Sequence, residues 1–302
     1  MIYVSNFNSH SITAFASSAR GDATPMRMIT GARTGLSNPV GLAVDAQRNL
    51  YVANRTGGGV TVYPSTANGN VPPLRTLAAA GLRAAQALAI GSAGDVFVSS
   101  CPNDDSAVVS SAAIFHFAAD ATQSDHAIAG SKTGLSYPVG LAIDEDRTLY
   151  VANGFGGVVS AFACGATGNA LPRRSFTAAT ANTRGIAYAL NTLLLLDAGI
   201  YLYPRTAASG AKPAAVFGRS ALLPLRYPGG VAVDTSVTSP IVCVADFAAH
   251  AVYVIRTTGA APHLSVAAVT TIKGAGTGLN GPVGVLVVHE ERARTSGRCF
   301  PF

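Results

Sequence analysis

A chain of 302 residues that is 49% hydrophobic and only 12% charged, with 32 Gly and 16 Pro, can bury a large core, which excludes an intrinsically disordered protein. The net charge of +6 arises from basic residues scattered singly, with Arg173-Arg174 the longest run, so the basic stripe with interleaved aromatics that nucleic-acid binding requires is missing. The most apolar run, from Ile186 to Tyr203, is broken by Asn191 and Asp197 and falls short of the roughly 18 uninterrupted apolar residues of a membrane helix, so a membrane span is excluded too.

In chain order, Ile2 to Asn6, Ile12 to Phe15 and Met26 to Ile29 read as three short strands. A new unit then begins at Thr34-Gly35-Leu36-Ser37-Asn38-Pro39-Val40-Gly41-Leu42-Ala43-Val44-Asp45. Its strand from Pro39 closes in a polar turn, Asp45 to Asn49. Leu50 to Asn54, Val60 to Tyr63 and Leu74 to Leu77 supply three more strands. The unit recurs closely at Thr133-Gly134-Leu135-Ser136-Tyr137-Pro138 and again at Thr277-Gly278-Leu279-Asn280-Gly281-Pro282. Weaker copies fill the gaps. Their marker column reads Pro39, Ala85, Pro138, Thr183, Pro228 and Pro282, six copies at intervals of 45 to 54 residues. Second strands follow at Val96 to Ser100, Leu149 to Asn153, Leu193 to Asp197 and Val242 to Asp246. Four antiparallel strands per copy are the pattern of a propeller blade rather than of a β-helix, whose coils are much shorter.

Two columns of small residues strengthen this reading. The third position of the first strand is Gly41, Ala87, Gly140, Gly185, Gly230 and Gly284, and the fifth is Ala43, Ala89, Ala142, Ala187, Ala232 and Leu286. Around a propeller channel the innermost strands crowd together, and small residues there let backbones approach. The last marker, Pro282, starts a first strand that has no companions after it, while the three strands before residue 30 have no first strand. The fold expected is therefore all-β, a six-bladed β-propeller of four-stranded antiparallel blades closed by one blade shared between the ends of the chain. Residues 1–289 form the single domain, with strands from 2–30 joined to the strand 282–288, and residues 290–302 form a tail.

The unit Pro-x-Gly-Leu-Ala-Val-Asp, Asn-Leu-Tyr-Val-Ala-Asn and Val-Thr-Val-Tyr resembles the NHL repeat and its bacterial relatives over residues 2–288, most clearly at 34–77 and 133–176. The resemblance implies a six-bladed propeller. Similar proteins include gluconolactonase-type lactone hydrolases, streptogramin lyases, the lyase half of peptide-amidating enzymes, strictosidine-synthase-like proteins and modules that only bind partners. The fold alone does not choose among them. It also implies a ligand at the channel mouth, between the loops joining second to third strands and those entering each first strand. Bacterial relatives usually lie outside the cytoplasm, so an extracytoplasmic place is expected. The opening Met1 to Ser5 has neither a basic nor an apolar leader region, so any signal would be absent from this sequence and a cytoplasmic place stays open.

At that mouth the second strands end in Asn6, Asn54, Ser100, Asn153, Asp197 and Asp246. One reading is a collar of oxygen ligands for substrate or metal; the plainer one is that Asn and Asp start turns by bonding the backbone. His10 and His250 each lie four residues beyond such a residue. They are candidates for acid–base catalysis, and His250 with Asp197 and Asp246 for holding a divalent metal, either calcium, magnesium or zinc. Against this stands a loop His bonded to backbone. Arg55 and Arg184 could clamp an anion, and Tyr137 and Tyr227 could stack a sugar or aromatic ligand. The chain has three Glu, none expected at the mouth, and no Gly-x-Ser-x-Gly or HExxH motif, which argues against the lactonase pattern. The loop Ser99 to Asp105 offers a carboxylate pair and Cys101 a thiol, while Cys243 reads as a buried small residue. The four cysteines show neither CxxC nor zinc spacing. The function expected is non-catalytic binding of a small molecule, carbohydrate or protein at the mouth, with a metal-assisted lactone hydrolase or lyase as the alternative and a structural spacer as a third class.

Overall fold

The computed structural model describes residues 1–288 apart from 102–111, 164, 181, 219, 237 and 238. The tail, Glu290, Glu291, Cys164, Cys299 and the acidic stretch Pro102 to Asp105 lie outside the described residues. The chain begins with β1 (Ile2–Asn6), β2 (Ser11–Phe15) and β3 (Arg27–Ile29). The first complete blade is β4 (Pro39–Val44), β5 (Leu50–Asn54), β6 (Val60–Tyr63) and β7 (Arg75–Leu77). The second is β8 (Ala85–Ile90), β9 (Val96–Ser100), β10 (Ala113–Phe117) and β11 (His126–Ala129). The third is β12 (Pro138–Ile143), β13 (Leu149–Asn153), β14 (Val158–Phe162) and β15 (Arg174–Thr177). The fourth is β16 (Gly185–Ala189), β17 (Thr192–Leu196), β18 (Ile200–Pro204) and β19 (Ala215–Phe217). The fifth is β20 (Pro228–Asp234), β21 (Ile241–Asp246), β22 (Ala251–Thr258) and β23 (Ser265–Ile272), and β24 (Pro282–Val287) ends the propeller.

Six four-stranded antiparallel sheets result, one of them ordered β24-β1-β2-β3. This shared sixth blade joins both ends of the chain, with Ile2 opposite Val287 and Tyr3 opposite Leu286. The second strand of each blade is largely apolar because neighbouring blades cover both of its faces, and β1, β5, β13 and β17 are buried at every residue, their polar ends included. The hydrophobic core is accordingly six interblade layers. One, for example, packs Tyr51, Val62 and Leu77 of the first blade on Val96, Val98 and Phe117 of the second.

The recurring Thr-Gly-Leu turn has a local cause. Thr34, Thr133 and Thr277 are each buried, and each hydroxyl donates to the carbonyl of the glycine three residues earlier at 2.7 Å. Each also accepts the N–H of the Leu two residues later. The glycine between them sits at φ +71, +65 and +66, a conformation that L side chains rarely adopt.

The glycine column of the inner strands fits backbone against backbone. A Cβ on Gly284 would stand 2.0 Å from the Val40 carbonyl oxygen, and one on Gly41 would stand 2.8 Å from that of Gln86. Gly284→Ala should therefore cost about 2–3 kcal/mol through overpacking at the seam between the shared and first blades. The shift in chemical-denaturation midpoint at constant slope measures it; an unshifted midpoint would show that the seam has slack. The ends of the strands named from sequence stand within a residue or two, Asp197 lying just past β17. No helix of the described residues is long and apolar enough to cross a membrane.

Candidate functional site

A cavity of about 500 Å³ opens in the channel, walled mainly by the inner strands: Val40, Gly41 and Leu42 from β4, Ala87 and Leu88 from β8, and their equivalents around the ring. Four of the residues singled out from sequence, Arg55, Arg184, Tyr137 and Tyr227, line it together. The Arg184 guanidinium carbon lies 3.9 Å from the centre of the Tyr227 ring, and its Nε is 3.7 Å from Asp197 Oδ1. Across the mouth Arg55 donates to the Tyr137 hydroxyl at 3.2 Å, and Tyr137 packs on Phe155 with centroids 5.0 Å apart. Tyr227 and Phe155 are half or more exposed, offering two ring faces to solvent.

Two further lining residues were not foreseen. Phe155 follows β13, where the motif gives no hint of an aromatic. Gln86 stands second in its inner strand, in the column otherwise occupied by Val40, Val139, Arg184, Gly229 and Val283. Its buried amide nitrogen has no hydrogen-bond partner among the described residues. The signal was available, since Gln86 and Arg184 are the two polar departures in that column.

The short polar residues ending the second strands do not line the cavity. Asn6, Asn54, Asn153 and Asp246 are buried and turned into their own blades. Their side-chain oxygens accept the backbone N–H two residues before the marker proline, from Asn280, Ser37, Ser136 and Arg226 respectively. Three of the Asn and Asp side chains go further: Asn6 donates to Thr13 Oγ1, Asn54 to Thr61 Oγ1 and Asn153 to Ser160 Oγ. Asp246 has three donors, the N–H groups of Arg226 at 2.6 Å, Tyr227 at 3.0 Å and Ala249 at 3.0 Å. Asp197 accepts from the Thr180 hydroxyl at 2.7 Å. Ser100 departs from the pattern, its buried hydroxyl lacking a partner among the described residues.

His10 and His250 occupy equivalent places, both exposed and both at φ 48. Each Nδ1 accepts a backbone N–H from the residue before the next blade's marker proline, Asn38 at 2.9 Å and Gly281 at 3.1 Å. They are latches between consecutive blades. Neither lines the channel, and Asp197, Asp246 and His250 do not gather into a group of ligand atoms. Among the described residues one such group exists, His116, Asp125 and His126, in the second blade and sharing no member with the residues expected to hold a metal. Cys101 is buried, and burial pushes the fully enclosed Cys243 thiol up to about 12, so it is protonated at neutral pH.

No family model and no curated protein matches the sequence. Solved structures do share the architecture. A streptogramin B lyase superposes with a TM-score of 0.58 at 12% identity, over 93% of this chain and 81% of that one. Virginiamycin B lyase from Staphylococcus aureus gives 0.52 at 13%, over 85% and 89%. A chain of the Polycomb Repressive Complex 2 of Chaetomium thermophilum, a humanized mutant with bound inhibitor, gives 0.54 at 14%, over 84% of this chain and 64% of that one. At these identities the likeness shows the fold alone.

Proposed function

We propose that this protein is an NHL-like propeller that binds, without chemically changing, a small anionic ligand with a planar apolar body at the channel mouth. One observation carries the reading: Arg55, Arg184 and the Gln86 amide nitrogen, which has no partner among the described residues, border the same cavity, whose other walls are mainly glycine, aliphatic side chains and aromatic rings, with Asn182 and Thr183 beside Arg184. Its volume of about 500 Å³ suits a small molecule. The donors would meet a carboxylate or similar acceptor group, while Tyr137, Phe155 and Tyr227 would pack on its rings. The basic balance of the chain, +6, adds weak long-range attraction for an anion.

Titration calorimetry with a set of aryl carboxylates and their uncharged amides tests this. Carboxylates should bind with one-to-one stoichiometry, and Arg184→Ala should weaken them at least tenfold, as loss of a charge-assisted hydrogen bond does. Equal affinity for acids and amides, or indifference to Arg184→Ala, would sink the reading. Turnover of a lactone or of a lyase substrate by the intact protein would replace it with the catalytic alternative.

A further inference from the structure

We propose that His116, Asp125 and His126 form a binding site for a zinc-class divalent cation on the outer edge of the second blade, with Asp95 as the residue that orients His116. The site lies at the end of the blade away from the channel mouth. There β10 ends, β11 begins, and the turn between β8 and β9 carries Asp95. It is independent of the proposed ligand cavity, none of whose walls it shares.

The strand register creates the cluster. His116 of β10 lies directly opposite His126 of β11 and opposite Phe97 of β9, so the three rings form one row across the sheet. The imidazoles stack at 4.2 Å, and the Phe97 ring meets His116 edge-on at 4.9 Å. Asp125 immediately precedes His126, and its Oδ1 sits 2.6 Å from Nδ1 of His116 and 3.2 Å from Nδ1 of His126. Thus two imidazole nitrogens and one carboxylate oxygen converge, all within 4.8 Å of one another. In a tetrahedral zinc site, ligand atoms about 2.0–2.1 Å from the metal stand roughly 3.4 Å apart. The His126 side already has that separation, and the half-exposed Asp125 can swing to open the other.

The second observation is Asp95. Its side chain is 9% exposed, its Oδ2 lies 3.7 Å from Nε2 of His116, and its Oδ1 has no hydrogen-bond partner among the described residues. Arg147 of the third blade approaches the same Oδ2 at 3.5 Å. A buried carboxylate behind a histidine whose other nitrogen faces a ligand cluster is the arrangement that fixes a metal-bound imidazole. Both nitrogens of His116 face carboxylates. A cation at Nδ1 leaves the imidazole proton on Nε2, facing Asp95 Oδ2 at 3.7 Å, a gap that a small turn of the ring would close to a hydrogen bond, while the metal meets Asp125. Two imidazoles and one carboxylate favour zinc, nickel, copper or cobalt over calcium and magnesium, and three protein ligands at a partly exposed edge leave a position for water or a further ligand.

The test uses the full chain stripped with chelator and titrated with Zn²⁺ by calorimetry and with Co²⁺ by visible absorption. One equivalent should bind, and Co²⁺ should give the intense bands of a tetrahedral nitrogen–oxygen site that excess Mg²⁺ or Ca²⁺ does not displace. His116→Gln, His126→Gln and Asp125→Asn should each weaken binding at least tenfold. Asp95→Asn should retain the site but lower affinity about tenfold and move the Co²⁺ bands, which a purely structural role for Asp95 would not do. His263→Gln, on the exposed surface of the fifth blade, should change nothing. Absence of stoichiometric binding, or binding that survives both histidine substitutions in folded protein, overturns the proposal. So does binding lost on His250→Gln instead.

Discussion

A chain lacking residues 2–15 is expected to show no cooperative thermal transition and to bind hydrophobic dye at all temperatures. The segment contains β1 and β2, in which every residue is buried. Ile2, Tyr3, Val4, Ile12 and Phe15 are all under 10% exposed, and at about 2 kcal/mol for each large apolar side chain their loss removes roughly 10 kcal/mol. That equals the whole net stability of an ordinary domain. The deletion also strands β24 without its β1 partner and opens the two core layers that flank the shared blade. Circular dichroism with differential scanning calorimetry decides it. A sharp melt after deletion would mean that five blades close without the sixth, contrary to the pairing of Ile2 with Val287.

The second large effect is expected at Asp246. With Asp246→Ala, three backbone N–H groups lose a charged acceptor in a fully buried place. At roughly 1–3 kcal/mol for each stranded donor, less what entering water restores, the cost is about 3–5 kcal/mol. Denaturant unfolding should register it, while His250→Ala, which releases a single N–H of Gly281, should cost about 1 kcal/mol. If Asp246→Ala instead kept its stability and lost a bound ligand, the carboxylate would be a recognition group rather than a brace.

That contrast shows where the sequence was legible. The marker column, the registered Gly and Ala positions and the unmatched strands at each end together determine the number of blades and the shared one, because each reflects a packing need repeated six times. Side-chain direction at the mouth follows a finer rule. In five blades the inner strand carries an irregularity just after its marker, as between Pro138 and Gly140 or Pro228 and Gly230. Such a bulge offsets the alternation of one strand against its partner. It places Asn54, Asn153 and Asp246 opposite the marker proline, turned toward the entering loop rather than the channel. Alternation alone cannot supply that offset. The cluster at His116 was hidden for a related reason. Its two histidines come from strands whose register is decided by a hairpin loop, so residues ten apart in sequence face each other, and Asp125 stands just before the second of them. Arg184 and Gln86, by contrast, announce themselves as polar residues in an apolar column.

The shared blade also orders events in time. During synthesis β1 is made before every other strand of the propeller, yet the strand that covers its inner edge, β24, is made after all of them. Until residue 287 is available, β1 has only β2 beside it, and its other edge can pair with a neighbouring nascent chain. The intervening blades can each form from local hairpins, but the ring cannot lock until its two most distant segments meet, a contact of the longest sequence separation in the fold. The same junction that holds the finished propeller together is therefore also its pairing of largest loop-closure cost, and until it forms β1 stands open to the wrong partner.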